Sequence, residues 1–184
     1  MSWRAEPADP ALVDLARDVD ELCRLRGSFT LRSGLQVDEY FDKFLFESDP
    51  VLLGRIVDRM LPLVPDGTEI LGGIELGGVP IAAVLSQATG LPVAYVRKEP
   101  KAYGTRKLAE GPDLDGRRVT LVEDAITTGG AVRAAALAVR DLGAMVDTVV
   151  CAIDREERGG NVLAEIGVQV RPVLTRTLLD APAS

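Results

Sequence analysis

An α/β fold, a parallel sheet covered by helices on both faces, is the architecture this sequence predicts, and three observations predict it. Beyond residue 68, short apolar runs such as "RRVTLVED" and "VDTVVCAIDR" alternate with helically spaced segments such as "AVRAAALAVRDLGA". Runs lacking polar alternation suit strands buried on both faces, and strand-helix alternation assembles such strands in parallel. The chain has 184 residues and is 47% apolar, which is enough for one substantial core and too little for two. One domain over residues 1–184 is expected, with an N-terminal helix and hairpin segment over 1–47, an α/β core over 48–176 and a tail over 177–184.

The elements follow in order. Asp9 and Pro10 supply an N-cap and a first-turn proline, and Leu12, Leu15, Val19, Leu22 and Leu25 keep helical spacing up to Gly27. "SFTLRSGLQVDEYFDKFLF" carries aromatic and β-branched residues broken by Ser33-Gly34, the pattern of a short hairpin. Ser48-Asp49-Pro50 opens a second helix to about Leu63. "EILGGIELGG" reads as a strand and a glycine loop, "VPIAAVLSQATG" as a helix, and "LPVAYVRK" as a strand entering a polar stretch. "RRVTLVED" is a strand, "AVRAAALAVRDLGA" a helix closed by Gly143, and "VDTVVCAIDR" a strand. "NVLAEIG" is a short helix, "VQVRPVL" the last strand and "LLDAPAS" a frayed end. Ligands of parallel sheets sit at the carboxyl ends of the strands. The candidate loops are therefore 73–78, 97–110, 123–130 and 154–160.

Composition narrows the chemistry. A net charge of −7 argues against a broad basic face for nucleic acid or anionic lipid, so any anionic ligand must be met locally. No apolar run approaches the roughly 18 residues of a membrane span, and "MSWRAEPADP" lacks the apolar core of a signal peptide, so a cytoplasmic location is expected. Cys23 and Cys151 are far apart and outside any CxxC pattern, and read as reduced core residues. The chain has no histidine, which excludes Ser-His-Asp and Cys-His catalysis and His-rich zinc sites.

"VTLVEDAITTGG" places Glu123 and Asp124 between an apolar run and a turn of small and hydroxyl residues. Thr127, Thr128, Gly129, Gly130 and Ala131 at a helix start offer backbone N–H groups to a phosphate. The stretch is not a P-loop, since GxxxxGK[ST] is absent. Carboxylates beside a phosphate are repelled by it and must meet neutral donors, which the ribose hydroxyls of a sugar phosphate provide. An acidic turn at a strand end is the structural alternative. The whole stretch, with Ala125 and Ile126, resembles the 5-phosphoribosyl-1-diphosphate (PRPP) signature of the type I phosphoribosyltransferases. The resemblance implies that the acids hold the ribose 2'- and 3'-hydroxyls while the turn wraps the 5'-phosphate. It also implies the phosphoribosyltransferase-like parallel sheet with a small N-terminal hood.

Further motifs resemble the orotate phosphoribosyltransferases within that family. Three of the four lysines, Lys98, Lys101 and Lys107, lie in "YVRKEPKAYGTRKLAEG" with Arg97 and Arg106, a local sink for a polyanion or else a solvated loop. The resemblance, to an RKxxKxxG lid, implies that Arg97, Lys98 and Lys101 contact PRPP, Arg97 and Lys101 from a neighbouring subunit. Many of these enzymes have His where this chain has Tyr103, and tyrosine cannot carry a positive charge near neutral pH. In "GSFTLRSGLQVDEYFD" the resemblance gives Arg32 to the phosphate side and stacks Tyr40 and Phe41 on the base. A half-buried hairpin explains the same aromatics. In "IDREERGG", Arg155 follows a strand and suits a carboxylate, which orotate has and purine bases lack. A surface pair with Glu156 or Glu157 is the alternative. "GIELGGVP" resembles the diphosphate loop, with Leu76 and Gly77 at the contact positions and no lysine at 77.

The resemblance implies transfer of the 5-phosphoribosyl group from PRPP to orotate, giving orotidine 5'-monophosphate and diphosphate. Lys98, Lys101, Asp124 and Glu123 are the expected catalytic set, and Thr127 is expected to touch orotate as well as phosphate. Mg2+ is expected to arrive chelated by PRPP, with no protein metal site. A homodimer with shared active sites is implied, with neither nucleic acid nor membrane as partner. Two rivals stay open: a phosphoribosyltransferase for another base, and a PRPP-sensing regulator without catalysis.

Overall fold

The computed structural model describes residues 9–31, 33–99, 108–155 and 162–181. Its centre is a six-stranded sheet of order β5-β4-β3-β6-β7-β8, parallel apart from β5. The strands are β3 (Ile70–Ile74), β4 (Val93–Val96), β5 (Ala109–Glu110), β6 (Val119–Ile126), β7 (Thr148–Asp154) and β8 (Gln169–Thr175). Side chains alternate between the faces of a strand. Leu71, Val122, Val150 and Ala152 accordingly pack into one core, and Ile70, Leu121, Val149 and Cys151 into another. Helices α1 (Pro10–Cys23), α3 (Pro50–Met60) and α4 (Gly78–Thr89) cover the first face, and α5 (Gly130–Asp141) covers the second. Cys23 and Cys151 are both free and buried, one in each core.

Helix α1 starts as expected, with Asp9 Oδ1 accepting from the Ala11 N–H at 3.0 Å. It ends earlier, because Arg24–Thr30 leave it as β1 and pair with β2 (Gln36–Phe41). The buried stripe is Leu15, Ala16, Val19 and Cys23; Leu22 is exposed and Leu25 pairs with Tyr40 across the hairpin. Arg24, at the junction, bonds Asp20 of α1, Glu39 of β2 and Asp180 near the C-terminus at 2.7–2.8 Å. Asp49 caps α3 through Val51 N–H at 2.8 Å and Leu52 N–H at 3.0 Å. Past Met60 the chain tightens into a 3-10 turn, Leu61–Leu63.

Four elements depart from expectation. A short helix α2 (Phe44–Ser48) follows the hairpin, and β5 runs antiparallel to β4 inside the stretch read as an open loop. "NVLAEIG" supplies a 3-10 turn, Ala164–Ile166, among its described residues. The tail is not frayed at its start: Arg176–Leu179 form α6, capped by Thr175, with Leu179 buried. Strand β6 carries Glu123 and Asp124, as expected, and runs on to Ile126, with Glu123 opposite Cys151 of β7, so the alternative of an acidic turn does not hold.

Candidate active site

The carboxyl ends of β3, β4, β6 and β7 converge with the end of the β1-β2 hairpin. Glycines allow the closeness. A Cβ at Gly78 would stand 2.2 Å from the Val122 carbonyl oxygen, so α4 begins directly against β6. A Cβ at Gly77 would stand 1.6 Å from Asp124 Oδ2 and 2.7 Å from Glu47 Oε1. Gly77 has a φ of −70°, open to any residue, so space and not conformation requires glycine there. The preceding Glu75-Leu76 peptide is cis, and Leu76 is exposed.

Asp124 has no exposed surface. Lys43, the residue before α2, donates from Nζ to Asp124 Oδ1 at 2.8 Å and lies 2.6 Å from Oδ2, out of line for a second hydrogen bond. The Ala125 N–H also donates to Oδ1, and the Asp124 N–H donates to Glu123 Oε1 at 3.0 Å. Three carboxyl groups thus share a buried space with one ammonium. Burial, followed by the neighbouring Asp124, pushes the Glu123 carboxyl up to about 9 and Glu47 up to about 8. Burial opposes ionisation of Asp124 too, yet hydrogen bonds from Glu123, Lys43 and Glu47 outweigh it and hold this carboxyl below its ordinary value. Near neutral pH the cluster therefore pairs one carboxylate with one ammonium while Glu47 and Glu123 stay protonated. A proton on Glu47 accounts for the two buried oxygens of this cluster that otherwise lack hydrogen bonds, Glu47 Oε1 and Asp124 Oδ2.

After β6 the chain turns through exposed Thr127 and Thr128 into α5. Gly129, the residue before α5, has a φ of +73°, which favours glycine. Gly130 and Ala131 are exposed at the helix start, leaving an open N-terminus suited to a phosphate. From β7, the Arg155 N–H donates to the Ile126 carbonyl at 2.7 Å, joining the ends of β6 and β7. The Arg155 guanidinium lies over the Phe41 ring, 4.6 Å from its centroid. At β4, the Arg97 N–H donates to the Leu108 carbonyl at 2.9 Å, and its Nε is 3.9 Å from Glu110 Oε1. The Lys98 N–H donates to Glu75 Oε1 at 2.7 Å, linking the ends of β3 and β4.

The sequence matches the phosphoribosyl transferase domain family over residues 65–168. It is 64% identical over 167 residues to an orotate phosphoribosyltransferase of Nocardioides sp., covering 91% of this chain and 93% of that one. The chain belongs to the orotate phosphoribosyltransferase family. A second orotate phosphoribosyltransferase, from Methanocella arvoryzae, is 46% identical over 148 residues, or 80% of this chain and 85% of that one. Among solved structures, the Mycobacterium tuberculosis orotate phosphoribosyltransferase in complex with PRPP superimposes with a TM-score of 0.76 at 32% identity, covering 94% of this chain and all of that one.

Against this family background, the fold brings together Leu76, Gly77, Glu123, Asp124, Ala125, Ile126, Thr127, Thr128, Gly129, Gly130, Ala131, Phe41 and Arg155 at neighbouring strand ends. Arg97 and Lys98 stand at the end of β4. Tyr40 is separated from Phe41: adjacent strand residues face opposite ways, and Tyr40 packs on Phe29 with ring centroids 5.6 Å apart. Arg32, Lys101 and Tyr103 lie outside the described residues. Lys43 and Glu47 are site residues that the motifs do not contain. Their signal in the sequence was slight, namely a lysine outside the lid cluster and a glutamate one helical turn beyond it.

Proposed function

We propose that the protein binds PRPP and orotate across the ends of β6 and β7. It transfers the 5-phosphoribosyl group to the orotate nitrogen and releases orotidine 5'-monophosphate and diphosphate, a step of pyrimidine synthesis. One observation carries the reading. The phosphate-suited turn after β6 and the Arg155 guanidinium, seated on Phe41, are joined by the hydrogen bond from Arg155 N–H to Ile126. A sugar phosphate and a carboxylated ring then have adjacent, chemically distinct seats. The orotate and PRPP named for the relatives supply both halves of that chemistry.

In this reading Thr127, Thr128 and the N–H groups of Gly129, Gly130 and Ala131 hold the 5'-phosphate at the start of α5. Asp124 and Glu123 hold the ribose hydroxyls, Asp124 as acceptor and Glu123, protonated, as donor. Leu76 and Gly77 present backbone to the diphosphate, and Arg32, Arg97, Lys98, Lys101 and Tyr103 add donors to its oxygens. As the bond from C1 to diphosphate lengthens, positive charge grows on the ribose and negative charge on the leaving group. Asp124 favours the first, and Lys98 and Lys101 offset the second. Arg155 fixes the orotate carboxylate, Phe41 lies against the ring and Thr127 borders both substrates, so the nucleophilic nitrogen meets C1 with little loss of motion. Tyr40 stays a candidate for the ring's outer edge.

Mg2+ enters as part of the substrate, chelated by PRPP, where it screens the diphosphate charge. The acids nearest the ribose seat are engaged with each other, with backbone and with Lys43, which leaves the ligand's own oxygens to hold the ion. A homodimer whose lid residues Arg97 and Lys101 serve the partner site, and a cytoplasmic location, complete the proposal. No helix among the described residues is long and apolar enough to cross a membrane.

The test is loss of orotate absorbance on mixing protein, PRPP and Mg2+, with uracil and hypoxanthine as competitors. Consumption of orotate that requires PRPP and is indifferent to uracil is the expected result. PRPP binding without orotate turnover would overturn it in favour of another base or a sensor.

A further inference from the structure

The reading of Asp124 as a ribose ligand, on which this inference rests, meets a geometric obstacle. Oδ1 accepts from Lys43 Nζ and from the Ala125 N–H, and Oδ2 lies between Lys43, Glu47 Oε1 and the place where a Cβ of residue 77 would stand. Of these neighbours Lys43, with 35% of its side chain exposed, and half-buried Ala125 open towards solvent, while Gly77 and Glu47 are enclosed. Ala125 faces Asp124 with a backbone N–H already donated to Oδ1, so a ribose hydroxyl arriving from solvent competes with Lys43 for the carboxylate.

A displaced ammonium needs a new anion. The other acids of the cluster are poor partners, because Glu47 and Glu123 are themselves buried beside Asp124, which disfavours their charged forms. The Phe44 ring, 5.7 Å from Nζ, is a weak partner. What lies beside Lys43 is Gly77, whose absent side chain and Nζ crowd the same Asp124 oxygen. That glycine opens α4, in the loop assigned above to the diphosphate.

We propose that Lys43 is a substrate-binding residue that exchanges partners. The ribose hydroxyls of PRPP take Asp124, and Lys43 turns from Asp124 to the diphosphate oxygens beside Gly77. The exchange neutralises the leaving group and unmasks the Asp124 carboxylate next to the ribose, so one side-chain movement places both charges where the reaction develops them. No bond is made or broken in this step.

The test compares steady-state kinetics of the wild type, Lys43→Met, Lys43→Arg and Asp124→Asn as a function of pH. For Lys43→Met the expected result is a KM for PRPP raised tenfold or more, with the KM for orotate within twofold of wild type. The groups facing Asp124 are Lys43 from the N-cap of α2, Glu47 from α2 and Glu123 from β6, and the glycine end of α4 adds no titratable side chain. Lys43 is the only cation among them. Its loss moves the acid limb of kcat/KM for PRPP to higher pH by one unit or more, and Lys43→Arg restores the limb. A KM for PRPP and an acid limb both unchanged in Lys43→Met would overturn the exchange while an impaired Asp124→Asn kept the ribose assignment. A KM for PRPP unchanged in Asp124→Asn would remove the ribose assignment and the exchange together. The wild type gives a readout independent of variant folding. The chain has only four lysines, so the Lys43 ammonium can be followed by NMR. The expected result is a shifted resonance on adding PRPP, and a resonance unmoved at saturating PRPP would overturn the proposal.

Discussion

Gly77 and Arg155 test the site one residue at a time. Gly77→Ala forces a methyl into the space of the Asp124 carboxylate. Overpacking of this kind costs about 1–3 kcal/mol. The expected outcome is a melting temperature lowered by about 2–10 °C, with a KM for PRPP raised more than that for orotate. A variant as stable and active as wild type would mean that Asp124 relaxes freely, contrary to its burial. On the proposed function, Arg155→Ala removes a charge-assisted pair with the orotate carboxylate, of a kind worth about 1.5–3 kcal/mol. Its kcat/KM for orotate should fall about 10- to 150-fold, with PRPP affinity retained. At this scale the sequence was partly legible. The acids and the Thr-Thr-Gly-Gly turn stand in one contiguous stretch, so their spacing carries their meaning. Lys43 acquires its meaning from a contact across 81 positions of chain, and Glu47 from the same distant carboxylate, which no local pattern encodes.

Individual elements deliver these residues, and their stability depends on identifiable ends. Asp49 accepts two N–H groups at the start of α3, the helix behind β7 and β8. Asp49→Ala should cost about 1 kcal/mol and lower the melting temperature by about 2–4 °C without changing kinetic constants, as circular dichroism and the orotate assay can show. Long elements with clear periodicity were legible: α3, α4, α5 and strands β3, β4, β6, β7 and β8 lie where the pattern puts them. Short ones were not, because α2, β5 and α6 are held by what they pack against and not by propensity. The end of α1 was overrun because Leu25 continues the helical spacing while its backbone pairs with Tyr40 in the hairpin. Pattern alone cannot separate a helix's last turn from a strand's first residues.

The molecule as a whole has a defined response to pH. Glu47 and Glu123 bind their protons more tightly folded than unfolded, with folded values of about 8 and about 9 against an ordinary value near 4.5. Between those limits the folded state holds more protons, so stability is fullest below about pH 4.5 as far as these two groups are concerned and is lost as pH rises through 8 and 9. Asp9, Glu69, Asp124 and Asp180 have lowered values and act oppositely, losing their contribution as pH falls below the ordinary carboxylate range. Melting temperature should therefore peak on the mildly acidic side of neutrality and decline towards pH 9. In Glu123→Gln the alkaline decline should flatten; a decline as steep as wild type would place the titrating group elsewhere. The architecture also has a tie that bypasses the sheet. Arg24 clasps the start of the hairpin to Asp20 behind it and to Asp180 just past α6. In mechanical terms the chain is a loop closed by one guanidinium, and tension on its last helix reaches the strand carrying Phe41 without crossing the core. The stiffness of the hairpin that faces Arg155 is thus set partly from the far end of the polypeptide.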